Sequence, residues 1–289
     1  MGLARVRARG DTVAGSGCPT RKATMVSEAT PGTRRNPGRV IDSRASYRDG
    51  SGVLSSTLSD APTVGKRHAF DLLEHRFGAD RMHVYLQVAG GDRDLALRSY
   101  EWNSRIAGAL LVDLGHLEVA VRNALDARMR ARHAARRLPG SWLDDPEQEL
   151  GRDPRDGRHR QPFADIEAAR RRVRQNRKPL SHGQVLSETS FGLWHQLVSK
   201  RWTNLWPDLA DAFPHAPDRR RETVARRVSG LRELRNRIGH HHRVWGLPCA
   251  TRHDDLLAVA GFVDPDLREW IARASCVPTL LAERPTARR

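Results

Sequence analysis

The chain has 289 residues, enough for one large domain or two small ones. Its 50 basic residues exceed 34 acidic ones, and the net charge of +16 points to a polyanionic partner, nucleic acid first. No apolar run approaches the ~20 residues that cross a bilayer, no apolar stretch of signal-peptide type follows the basic start Met1–Arg9, and Cys18, Cys249 and Cys276 form no Cys-x-x-Cys pair. A cytoplasmic protein with reduced thiols is therefore expected, without membrane, disulfide framework or cysteine-held metal. Only Lys22, Lys66, Lys178 and Lys200 are lysines. Compositional drift explains arginine in place of lysine, but it does not explain the excess of charge.

Residues 1–63 are rich in Arg, Gly, Ser, Thr and Pro and show no periodicity. They read as a disordered basic tail, or as a start placed too early, since Met25 lies within it. Residues 64–285 read as a helical domain. Ala69, Leu72, Leu73 and Phe77 predict a short amphipathic helix, and Met82 to Val88 a second, ending at Gly90-Gly91. Asp92 has the character of an N-cap. Behind it Ile106, Leu110, Leu114, Leu117, Val121 and Leu125 recur in steps of three or four, which predicts a long helix to about Arg132. Gly108 and Gly115 in that helix allow close packing or a bend. Residues 139–162 read as a loop.

Ile166, Ala169 and Val173 predict a short basic helix broken at Pro179. Phe191 to Trp202 predict an apolar helix that continues through Leu205 to Phe213 with a kink at Pro207. A helix from about Asp218 to Trp245 carries the stripe Val228, Leu231, Leu234 and Ile238 and is stopped by Gly246 and Pro248. Two shorter helices follow, near 254–263 and 265–274. No alternating strand pattern stands out, so the body is expected to be an all-α bundle.

Arg235-Asn236-Arg237-Ile238-Gly239-His240 is the most informative stretch. It places a fixed cation, an amide and a titratable imidazole within six residues. Asn236 and His240 are four apart and share a helix side. Metal-free RNA cutting needs a base for the 2′-OH, a donor for phosphate charge and an acid for the leaving 5′-oxygen. Histidine titrates near neutrality and serves as base or acid. Arginine is always charged and matches phosphate oxygens. Arg235, Asn236 and His240 are thus the candidate catalytic set. His241, His242, Arg237, Arg243, Arg171, Arg172 and Arg174 are weaker RNA-binding candidates. Three consecutive helical histidines point about 100° apart, so no metal site is expected. One copy supplies few proton carriers, so a symmetric dimer with facing motifs is expected. A second pair, Arg122-Asn123, has Ala127 five residues after the arginine where the motif has histidine, and Glu118 is expected to pair with Arg122 on the helix surface.

Four ordered blocks carry a resemblance. They are Ala89-Gly90-Gly91-Asp92-Arg93-Asp94 leading to Tyr100-Glu101-Trp102-Asn103; Leu114 to Leu125; Leu186 to Trp194 with Leu205-Trp206-Pro207; and Leu231 to His241. Together they resemble the bacterial Abi-like (abortive-infection) family of the HEPN superfamily, over about residues 64–275. The resemblance implies a dimeric helical HEPN fold and metal-independent endoribonuclease activity in phage defence or growth arrest. It implies that Arg235 and His240 are the catalytic pair, that no cofactor is used, and that an antitoxin or other neutralising partner exists. Gly239 departs from the pattern, where a small residue such as Ala is expected. The alternative is a HEPN module that binds RNA without cutting it, through the basic helix Arg170-Arg171-Arg172-Val173-Arg174. A helix-turn-helix DNA binder is less favoured, because no short helix pair with a polar recognition face stands out.

Overall fold

The computed structural model describes residues 66–286, all within one compact unit, Val64–Arg289. The expected basic tail, 1–63, lies outside the described residues. Among the described residues the protein is all-α, with no strand. In chain order the helices are α1 (Lys66–Phe77), α2 (Ala79–Val88), α3 (Arg93–Ala135), α4 (Phe163–Gln175), α5 (His182–Ser187), α6 (Phe191–Leu197), α7 (Trp206–Leu209), α8 (Arg221–Gly239), α9 (Cys249–Val263), α10 (Pro265–Ala274) and α11 (Val277–Ala282). Short 3-10 turns cover Trp142–Asp144, Lys200–Leu205 and Ala210–Ala212. No described helix is long and apolar enough to cross a membrane.

Helix α3 is the spine, about 65 Å long at 1.5 Å per residue. Asp92 caps it as expected, its carboxylate accepting from the backbone N–H groups of Asp94 and Leu95. Trp102, Ile106, Leu110, Leu114, Leu117, Val121, Leu125 and Met129 form one buried face. Burying each such side chain is worth roughly 1.5–3 kcal/mol. That face packs on α6, α8, α9 and α11. From α8 come Val224, Val228, Leu231, Leu234 and Ile238, and from α6 Phe191, Leu193, Trp194 and Leu197. Helices α1 and α2 build a smaller core of Phe70, Met82 and Tyr85 against Ala96. Trp245 packs against both cores and links them.

Several boundaries differ from the sequence reading. The apolar run after Phe191 is not one kinked helix: α6 ends at Leu197 and a 3-10 turn intervenes. Pro207 lies in the first turn of α7, where its missing N–H costs nothing, so it starts a helix and does not kink one. Helix α5 was not expected; it is short, and Ser181 caps it. Helix α9 begins at Cys249, well before 254. The motif helix is also shorter than expected. It runs from Arg221 to Gly239, not to Trp245.

Candidate functional site

The end of α8 sets the geometry of the motif. His240 is the C-cap, with φ −93° and ψ 13°, and its N–H still bonds the Asn236 carbonyl. His241 follows in the left-handed region at φ 54°. Its N–H bonds Ile238 O at 2.9 Å, and His242 N–H bonds Arg237 O at 2.8 Å. This pair of bonds is a Schellman closure, which satisfies two of the orphan carbonyls of the last turn. Glycine normally fills the left-handed slot, and here histidine does. The stop signal at Gly246 therefore comes too late, and the helix ends earlier than the sequence predicts.

Arg235 and Asn236 are partly buried on this last turn, and His240 is exposed. Because the C-cap remains close to helical, His240 still rises above Asn236 as the four-residue spacing predicts. A methyl group on Gly239 would stand 3.6 Å from Arg235 Nη1. The guanidinium thus lies along the turn that ends at His240. The glycine leaves this approach open, but an alanine would make only ordinary contact.

Glu118 of α3 faces the same helix. Burial pushes its carboxyl above the usual range, while Arg235, a hydrogen bond from the Phe191 backbone and Arg122 pull it down, in that order. This corrects the expected Glu118–Arg122 surface pair. Glu118 is half-buried against α8, Arg235 is its strongest cationic neighbour, and Arg122 bonds Asn123 at 3.3 Å.

Two further residues hold the segment that leaves α8, and the sequence reading assigned neither. Arg81 of α2 donates to the His241 carbonyl at 2.7 Å, with its guanidinium 5.9 Å from the Tyr100 ring centre. Asn103 of α3 is 4% exposed, and its Oδ1 accepts from Val244 N at 2.8 Å and Trp245 N at 3.1 Å. The available signal was a polar residue on the apolar stripe, one turn before Ile106. A cleft of about 560 Å³ opens beside these residues, lined by Phe77, Arg81, Tyr100, Leu111, His241 and His242 among others. Phe77 and Tyr100 stack at 5.8 Å, and Phe77 is 49% exposed.

The weaker candidates divide. His241 and His242 are exposed at the cleft, and Arg243 is exposed beyond them. The turn brings the His240 and His242 rings to 5.9 Å, closer than a continued helix would. Among the described residues no three His, Cys, Asp or Glu side chains form a group that could hold a metal ion. Arg237 is partly buried and donates to the Arg243 carbonyl at 3.0 Å, so it braces the turn. On α4, Arg172 lies 3.5 Å from Glu188 and Arg174 3.0 Å from Glu167, while Arg170 pairs with Asp144. Arg171 is exposed. The basic run is therefore largely neutralised by acids of its own chain.

A stripe of exposed small and apolar residues runs along α3 beside this site. Gly108, Leu111, Val112, Gly115 and Val119 lie on the side opposite the core. Val112 is 60% exposed, and a Cβ on Gly108 or Gly115 would meet nothing, so these glycines serve no close packing within the described residues. Comparisons with protein-family models, with curated proteins and with solved structures find no match to this chain.

Proposed function

We propose that this chain is a metal-independent endoribonuclease of abortive-infection type, built on a HEPN-like bundle and active as a dimer. The observation that carries this reading is the grouping at the end of α8. Arg235 lies along the turn that leads to the exposed His240, with Asn236 one turn below it.

The reaction is an internal transfer. A histidine takes the 2′-OH proton, and the 2′-oxygen attacks the neighbouring phosphorus. The 5′-oxygen leaves with a proton, giving a 2′,3′-cyclic phosphate and a 5′-hydroxyl. His240 from one copy acts as base and His240 from the other as acid. Arg235 holds the charge that builds on the phosphate oxygens. Asn236 orients the imidazole or a phosphate oxygen. The exposed Phe77 and the stacked Tyr100 beside His242 offer a surface for an unpaired base, an interaction worth about 1–3 kcal/mol per base. The apolar stripe on α3 supports a second copy as the partner, because Gly108 and Gly115 would let another helix approach closely.

The non-catalytic reading loses support at its main contact, since Arg170, Arg172 and Arg174 are paired with acids. The test is cleavage of a labelled single-stranded RNA in chelator, with end-group analysis. The proposal expects 2′,3′-cyclic phosphate ends from the wild type and a loss of about 100-fold or more in Arg235→Ala. Products with 3′-hydroxyl ends, or cleavage that chelator abolishes, would contradict it.

A further inference from the structure

We propose a second site, independent of the first: Ser141, His182 and Asp126 form a serine relay that accepts an acyl group from carboxylic esters. It lies at the far end of α3. Asp126 is about 27 Å along the helix from Gly108, which borders the first site, at 1.5 Å per residue.

The order of the groups carries the argument. Asp126 is 6% exposed, and its Oδ1 accepts from Trp142 Nε1 at 2.7 Å. The same oxygen is 2.8 Å from His182 Nε2, and the other imidazole nitrogen, Nδ1, is 2.9 Å from Ser141 Oγ. An ionised carboxylate only accepts, so Nε2 carries the hydrogen. Nδ1 is then the acceptor, and the Ser141 hydroxyl donates to it. This is nucleophile, base and orienter in sequence. Ser141 Oγ also accepts from Leu143 N–H at 3.1 Å, which favours negative charge on that oxygen.

A cleft of about 980 Å³ gives this chain something to act on. Asp126, Ser141 and His182 all line it, with Ala131, Leu138 and Leu186 as apolar walls and Arg130 as a cation. The walls suit the acyl part of an ester, and Arg130 suits the carbonyl oxygen as it gains charge. A second Ser–His–Asp group shows what a purely structural cluster looks like here. Ser275 Oγ donates straight to Asp113 at 2.6 Å, and His253 stands 3.1 Å from the serine and 3.5 Å from the aspartate. There the hydroxyl is spent on the carboxylate, and both Asp113 and His253 are buried. Only the Ser141 group puts the imidazole between the other two and borders an open cleft.

In the step itself, Ser141 Oγ bonds to the carbonyl carbon and its proton passes to His182 Nδ1. The C–O bond to the alcohol breaks, and the alcohol leaves with that proton. Water then repeats the transfer and frees the acid and the serine.

The test treats the full chain with a fluorophosphonate. A P–O bond forms at Ser141, the P–F bond breaks, fluoride leaves and His182 takes the proton. The expected result is one adduct, on the tryptic peptide Leu138–Arg152, whose sole serine is Ser141. Ser141→Ala and Ser141→Asn abolish it, the asparagine keeping an N-cap oxygen so that loss of the cap is not the cause. His182→Gln slows it about 100-fold, the scale of general-base help, and Ser275→Ala leaves it unchanged. Hydrolysis of p-nitrophenyl butyrate follows the same order. A folded wild type with no adduct on that peptide, or one labelled equally fast in His182→Gln, overturns the proposal.

Discussion

His241 holds a left-handed backbone without being glycine, at φ 54°. For a residue with a side chain this conformation costs roughly 1–2 kcal/mol. What retains it is two local backbone closures and a long-range bond, from Arg81 of α2 to its carbonyl. None of these uses the imidazole, so His241→Gly is expected to raise stability by about 1 kcal/mol in denaturant unfolding. RNA cleavage should stay within a few fold, because His240 keeps its place on the C-cap. A second residue-scale prediction concerns His195 of α6. Burial, and then Arg232, holds its pKa below the ordinary value of 6.5, and its Nδ1 is buried without a partner. A lowered histidine pKa contributes stability that is present above the unfolded value and lost as pH falls through the folded one. The melting temperature should therefore drop as the pH falls below about 6.5, and drop less in His195→Leu. Equal losses in both proteins would remove His195 as the cause. The motif itself was legible in the sequence because its spacing is local. The early helix end was not, because the left-handed slot carries histidine and the nearest glycine, Gly239, stands two residues before it.

At the scale of elements, α3 serves two faces. Its buried face was legible from the period of its leucines, since a 3.6-residue repeat needs no knowledge of partners. The roles of Asn103 and Glu118 were not, because their partners lie far along the chain. Asn103 serves Val244 and Trp245, and Glu118 lies in the field of Arg235. Replacing Asn103 by Leu leaves two backbone N–H groups without their acceptor. The expected loss is about 3 kcal/mol in denaturant unfolding, with cleavage reduced as the segment after α8 loosens. A variant as stable as the wild type would show that the bond is replaceable. The outer face of α3 makes the opposite prediction. Val112 is 60% exposed, so Val112→Glu should not alter folding of the single chain. It should convert a dimer to a monomer in light scattering and reduce cleavage with it. A dimer that persists in Val112→Glu would place the interface elsewhere. Helices α5 to α7 were poorly read because they are short, and Pro207 gives the same sequence signal whether it breaks a helix or begins one.

For the whole molecule, the all-α class followed from composition and period, while the arrangement depended on distant pairings. Net charge also says less than it first suggests. Internal pairs such as Arg132 with Glu149 and Asp208 leave the excess of +16 intact, and such an excess can hold RNA without any part in cutting it. Binding and cutting must therefore be measured apart. The most direct measurement compares the wild type and His240→Ala in chelator on one single-stranded RNA, reading affinity and single-turnover cleavage rate together. The account predicts affinity within a few fold and a cleavage rate lower by about 100-fold or more, because His240 transfers protons and anchors little of the RNA. Equal cleavage rates in the two proteins would contradict it.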